Sequence, residues 1–211
     1  MDCPLKDLCP KIIESRTILH PRLILGEGPD DRNFLDAFLR VLGFENVQAM
    51  SYGGRDNLPG FLELLVRRQP EFRGVTHIAV TADSDEAYDG CVAAIQAALH
   101  RYDLPVPVDQ GFSRLGARTA ALFIVREQLE TLCLESIRGS PVAHCIDAYL
   151  DCIEYVPSRR HEAEKVRSRL FMASREASSV VSLGVGAQRG YWDFQSPAFG
   201  DLRRFLTTLA S

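Results

Sequence analysis

The side chains best placed to do chemistry in this sequence are three acids, Glu27, Asp83 and Asp85. Glu27 follows the apolar run Leu23-Ile24-Leu25 in Gly26-Glu27-Gly28-Pro29-Asp30-Asp31, and Asp83 and Asp85 follow a second apolar run in Thr81-Ala82-Asp83-Ser84-Asp85. If both runs are neighbouring parallel strands, the three carboxylates meet at one rim of a sheet, beyond the strand carboxyl ends where such sheets bind ligands. Like charges that close cannot all stay ionised without a cation, and an oxygen-only donor set suits Mg²⁺ or Mn²⁺. Each acid also has a local role open to it. Asp30 and Asp31 sit in the first turn of a helix behind Pro29, where acids complement the helix dipole, and that role is favoured for both. Asp83 or Asp85 could cap the helix that follows.

Two further groups carry chemistry. Gly53-Gly54-Arg55-Asp56-Asn57 is a turn before a helix, so Gly53 and Gly54 could offer backbone N–H groups to a phosphate with Arg55 as the cation; alternatively it is a tight turn with Asn57 as the cap. Tyr191, Trp192 and Phe194 could stack bases, although core packing is the commoner use of such a cluster.

Positioning these residues needs strands alternating with helices. The strand at 23–25 leads into helical spacing over 30–42, a short strand at 47–51 precedes a helix at 58–66, and the unbroken apolar run 77–82 reads as a strand buried on both faces. A helix carrying Cys91, Ile95, Leu99 and Tyr102 follows, then a fourth strand at 119–125. This alternation implies an α/β, Rossmann-like parallel sheet with helices on both faces. From 128 onward only helices are expected, at 128–137, 142–155 and 159–177, with a closing amphipathic helix around Leu202, Phe205, Leu206 and Leu209. The expected organisation is an N-terminal segment 1–16, an α/β domain 17–140 and a helical extension 141–211 packed on it.

Composition narrows the class. With 211 residues, 46% hydrophobic and 25% charged, the chain is an ordinary globular one, and its net charge of −4 argues against tight nonspecific DNA binding. No apolar run reaches the ~18 residues of a membrane span, and no export signal is expected, so a cytoplasmic location with no membrane partner is the reading. The six cysteines are too scattered for a disulfide scaffold, and the spacings of Cys3, Cys9, Cys145 and Cys152 do not match zinc knuckles. The cations Arg159, Arg160, Lys165, Arg167, Arg169 and Arg175 crowd one helix, which reads first as a solvated face and second as a phosphate-facing surface.

The segments 23–31 and 80–85 resemble the TOPRIM fold of topoisomerases, bacterial primases, OLD-type nucleases and small RNA-maturation nucleases, over a core of about 17–140. Tyr52-Gly53-Gly54-Arg55-Asp56-Asn57-Leu58, Gly190-Tyr191-Trp192-Asp193-Phe194 and Ser196-Pro197-Ala198-Phe199 resemble an uncharacterised TOPRIM-like family known only as a domain of unknown function. The resemblance implies a Mg²⁺-dependent phosphodiester site on nucleic acid. In it Glu27 is the general acid or base or a metal-side ligand, and Asp83 and Asp85 hold the ion. Asp31 and Glu130 would serve a second ion or support the first ligands. Val125-Arg126-Glu127 lacks the acid expected at the end of the fourth strand, and Glu86 departs from the usual Asp-x-Asp-x-x-Gly continuation. The alternative is a non-catalytic module of the same shape that holds a nucleotide or a partner protein. A receiver-like signalling domain ranks lower, because Lys6, Lys11 and Lys165 do not fall at a late strand end.

Overall fold

The computed structural model describes residues 17–84, 88–108, 110–126, 128–157, 160–175 and 182–211. Strand β1 (Arg22–Gly26) carries Leu23, Ile24 and Leu25 with no exposed surface, as a strand covered on both faces requires. It pairs in parallel with β2 (Val47–Ser51) on one side and with β3 (His77–Asp83) on the other. β3 in turn pairs in parallel with β5 (Arg118–Val125), and β4 (Phe112–Leu115) closes the edge antiparallel to β5, giving the order β2-β1-β3-β5-β4. The α/β sheet is therefore parallel in its first four positions and antiparallel at one edge, where the sequence reading had no strand.

Helices follow the strands as the crossover rule demands. α1 (Pro29–Val41) links β1 to β2, α2 (Leu58–Glu63), continued by a π turn over Leu64–Arg68, links β2 to β3, and α3 (Tyr88–Arg101) follows β3. Alternation along the strands divides the core in two. Leu23, Leu25, Ile78, Val80, Leu122 and Ile124 face α2 and α3, whereas Ile24, Ala79, Ala121, Phe123 and Val125 face α1 and the C-terminal helices.

Those C-terminal helices are α4 (Leu129–Ser136), α5 (Pro141–Cys152), α6 (Arg160–Arg175), α7 (Leu183–Gln188) and α8 (Gly200–Ala210). Their apolar sides enter the same cluster as Phe34 and Phe38 of α1. Phe194 stacks on Phe38 with centroids 4.6 Å apart, and Phe199 lies 5.7 Å from Phe34 and 5.5 Å from Phe38. Trp192 stacks on Phe171, and its indole N–H donates to the Leu183 carbonyl at 3.0 Å. Trp192 and Phe194 are thus core residues, and the base-stacking use of this cluster does not hold for them.

Helix α7 is a second element with no sequence signal. Its residues, Leu-Gly-Val-Gly-Ala-Gln, carry no apolar period, and two glycines disfavour a helix. Tertiary contacts supply what propensity does not. Ser182 caps it locally, and the Asp30 carboxylate accepts hydrogen bonds from the backbone N–H groups of Leu183 (3.0 Å) and Gly184 (2.7 Å) and from the Ser182 hydroxyl. Gly184 is required by this approach, since a Cβ there would stand 2.4 Å from the Asp30 carbonyl oxygen. No described helix is long and apolar enough to cross a membrane.

Candidate functional site: an acidic cleft at the sheet rim

β1 and β3 are adjacent and parallel, so the residues at their ends leave the sheet side by side. Glu27 follows the end of β1 and Asp83 is the last residue of β3; both are partly buried. Together with Asp31 they line one small cleft, over apolar walls from Leu35, Phe123 and Leu129. Asp31 sits in the first turn of α1, where its carboxylate accepts the Gly28 N–H. Burial, and then the charges of Asp30, Glu27 and Glu130, raise the Asp31 carboxyl from 3.8 to about 6, against the lowering effect of the Gly28 hydrogen bond. Glu130 stands in the first turn of α4, outside the cleft lining but close enough for its charge to act on Asp31.

The backbone around these acids is tied together strand end to strand end. The Glu27 carbonyl accepts from the N–H groups of Gly53 (2.9 Å) and Gly54 (2.8 Å) and from the Ser51 hydroxyl (3.3 Å). Gly53 and Gly54 adopt φ of 82° and 112°, a region open to glycine at no steric cost, and in that conformation both N–H groups reach one oxygen. Of the two uses open to this turn in the sequence, phosphate binding and a tight turn capped by Asn57, the structure directs both N–H donors at the Glu27 carbonyl, and the Asn57 amide donates to the Gly53 carbonyl without capping the helix. Arg55 also turns inward, donating to the Asp83 carbonyl at 2.9 Å. Ser84, almost fully buried, ties β3 to β5: its N–H donates to the Val125 carbonyl and its hydroxyl to that of Arg126.

Two residues at this rim carried no sequence signal for a role there. Thr81 donates its hydroxyl to the Leu25 carbonyl, bridging β3 to β1. Tyr52 donates its phenol to the Thr81 carbonyl, and burial, with the charge of Glu27 next in size, pushes that phenol well above its ordinary value. Asp85, Glu86 and Glu127 lie outside the described residues, as do Arg159 and the segment 1–16 with Cys3 and Cys9. Among the described residues no three His, Cys, Asp or Glu side chains form a group that could hold a metal ion. The described cysteines are free thiols, Cys91 and Cys133 buried, Cys145 and Cys152 exposed. On the Arg-rich helix α6, Arg167 pairs with Asp147 and Arg175 lies over the Phe171 ring.

Comparison with known sequences assigns a family to this arrangement. Residues 21–211 match DUF3226, a family described as a protein of unknown function. The chain belongs to DUF3226. No curated protein matches it. Among solved structures it is similar to the C-terminal region of the OLD protein of Xanthomonas campestris pv. campestris, with a TM-score of 0.49 and 15% identity over 92% of this chain and 97% of that one. Membership of DUF3226 brings no activity with it, so any function of this DUF3226 chain has to be argued from the site's own chemistry.

Proposed function

We propose that this DUF3226 chain is a Mg²⁺- or Mn²⁺-dependent enzyme that cleaves phosphodiesters or transfers phosphoryl groups on nucleic acid, from a TOPRIM-type site at the rim of its sheet. The observation that carries this reading is the meeting of Glu27, Asp31 and Asp83 in one cleft beyond the carboxyl ends of β1 and β3. The chemistry of the donors suits a hard cation, carboxylate oxygens in one cleft, although the described residues alone do not complete a ligand set and Asp85 would have to join them. Asp31 is raised first by burial and then by the charges of Asp30, Glu27 and Glu130, and a divalent ion would relieve that second, repulsive part. Asp83 would hold the ion together with Asp85, and Asp31 and Glu130 would support those ligands or hold a second ion. When bound, the ion supplies charge neutralisation at the phosphate and a water of lowered pKa. The chain supplies the rest. Glu27 takes the proton from the attacking oxygen or returns one to the leaving oxygen. Gly53 and Gly54 fix the backbone from which Glu27 projects, and Arg55 brings a cation to a rim that has to accept an anionic strand.

Glu27→Gln separates proton transfer from ion placement. It is expected to keep the fold and the metal affinity while lowering turnover about 10²–10⁴-fold, the range for losing a general acid or base. Asp83→Asn is expected to lose the metal as well, read by titration with Mn²⁺. Cleavage undiminished in Glu27→Gln would overturn its role. Metal binding without cleavage of single- or double-stranded DNA or RNA would move the chain to the alternative, a non-catalytic module holding a nucleotide or a protein.

A further inference from the structure

A second cleft, of about 330 Å³, opens between α2 and α3 on the opposite face of the sheet from the acidic one. The two clefts share Ala82 as wall, so they meet at the end of β3. Leu58 and Ile95 form apolar sides and the buried Tyr52 lies at the bottom, while exposed Arg55 and Asp56 stand at the mouth. The hydrogen bond from Arg55 to the Asp83 carbonyl sets a guanidinium at the junction of the two clefts.

Resting on the phosphodiester reading above, we propose that this second cleft receives one unstacked base of a single-stranded nucleic acid whose backbone crosses the Glu27–Asp83 rim. Size limits the occupant first. A cavity at the lower end of the range for small-ligand pockets has room for one nucleoside and not for a base pair. A base inside a duplex reaches such a slot only after leaving its stack, which favours strands already unpaired. Chemistry limits it second. The sides are apolar, suiting the faces of a base, and the mouth presents a carboxylate that can accept from an exocyclic amino group beside a guanidinium that suits the adjoining phosphate. An aliphatic occupant would match the sides but would have nothing to offer the charged mouth that Arg55 and Asp56 form.

Ala94 lines this cleft and is exposed on α3, so Ala94→Trp fills the slot without entering the core. Ala97, exposed on the same helix and outside the cleft, gives the control variant Ala97→Trp. Fluorescence anisotropy with short fluorescein-labelled DNA and RNA oligonucleotides, in Mg²⁺ and with every protein carrying Glu27→Gln, which is expected to keep the ion at the rim and slow cleavage, reads the affinity. Single strands are expected to bind about tenfold more tightly than the same sequences as blunt duplexes, and Ala94→Trp to lose about that factor on single strands, as removal of one base contact does. Ala97→Trp should leave binding unchanged. Should Ala94→Trp melt early, Pro59→Phe on the facing helix serves the same test. Equal affinity for single strand and duplex, or an Ala94→Trp protein that binds like Ala97→Trp, would overturn the proposal. The two readings fail separately: single-strand binding that Ala94→Trp weakens, with no cleavage in Mg²⁺ by the chain that keeps Glu27, retires the enzyme and keeps the cleft. Cleavage with an affinity indifferent to Ala94→Trp does the reverse.

Discussion

The two faces of the sheet are covered in different ways. Under α1 and α4–α8 the space is filled by rings, with Phe34, Phe38, Phe194 and Phe199 in mutual contact and Phe205 against Phe112 and Phe123. Under α2 and α3 the cover is those helices with the turns at Leu64–Arg68 and Pro70–Gly74, whose Leu65 and Phe72 are buried, and a cleft is left beside Leu58 and Ile95. The aromatic residues that look most like a nucleic-acid surface in the sequence are consumed in sealing the first face. Room for a ligand is left between α2 and α3, along the rim where the acids stand, and in a cleft of about 290 Å³ among α4, α5 and α6, outside the packed rings. The rings mark where the first face is sealed, and the clefts lie around them and not among them.

Core truncation tests that division with the largest effect. Phe199 is fully buried among three rings, so Phe199→Ala should cost about 3–5 kcal/mol in urea denaturation. Leu58→Ala, beside a cleft into which neighbours can relax, should cost about 2 kcal/mol, at the low end for its type. Equal losses would break the comparison.

Next in size is Asp31, on the rim between the faces. Its folded-state carboxyl titrates at about 6 against 3.8 ordinarily, so the folded protein holds the proton more tightly than the unfolded chain does. Stability from this group is present below about pH 4 and is lost as pH rises through about 6, a difference of up to about 3 kcal/mol. Asp31→Asn should therefore stabilise the metal-free protein by about 1–3 kcal/mol at neutral pH and add nothing at about pH 4. The same gain at both pH values would show that charge burial is not its source. The most local effect is expected at Asp30, one residue earlier. Asp30→Ala removes the acceptor for α7 and should cost about 2 kcal/mol, with amide exchange accelerating first in Leu183–Gln188. Exchange that changes uniformly over the chain would contradict a local anchoring role.

What was legible in the sequence followed from periodicity and from short-range punctuation. The strands at β1, β2, β3 and β5 and the helices α1 to α6 and α8 announce themselves through apolar spacing, Pro29 and the glycine turns. β4 does not, because Phe112–Leu115 is four residues long, partly exposed, and defined by the hairpin it makes with β5. α7 does not either, since its stability lies in an aspartate 153 residues earlier in the chain. Asp30 shows the same limit from the other side: the helix-dipole role read from its position omits its contact with α7. At the site, the placement of Glu27 and Asp83 at strand ends was visible in the motif. The use of Gly53 and Gly54 was not, because turn residues reveal a conformation while their acceptor, the Glu27 carbonyl, becomes their neighbour only when β2 pairs with β1.

That clamp has a genetic consequence. In a saturation screen scored for activity, positions ordinarily rank by what they touch. Here any side chain at Gly54 has to leave its φ of 112° or strain to keep it, and either response shifts the carbonyl from which Glu27 departs. On the role proposed for Glu27, Gly54 variants would share the phenotype of Glu27 variants while keeping every carboxylate, and second-site revertants would arise at Ser51 and Gly53, the residues that hold the same carbonyl.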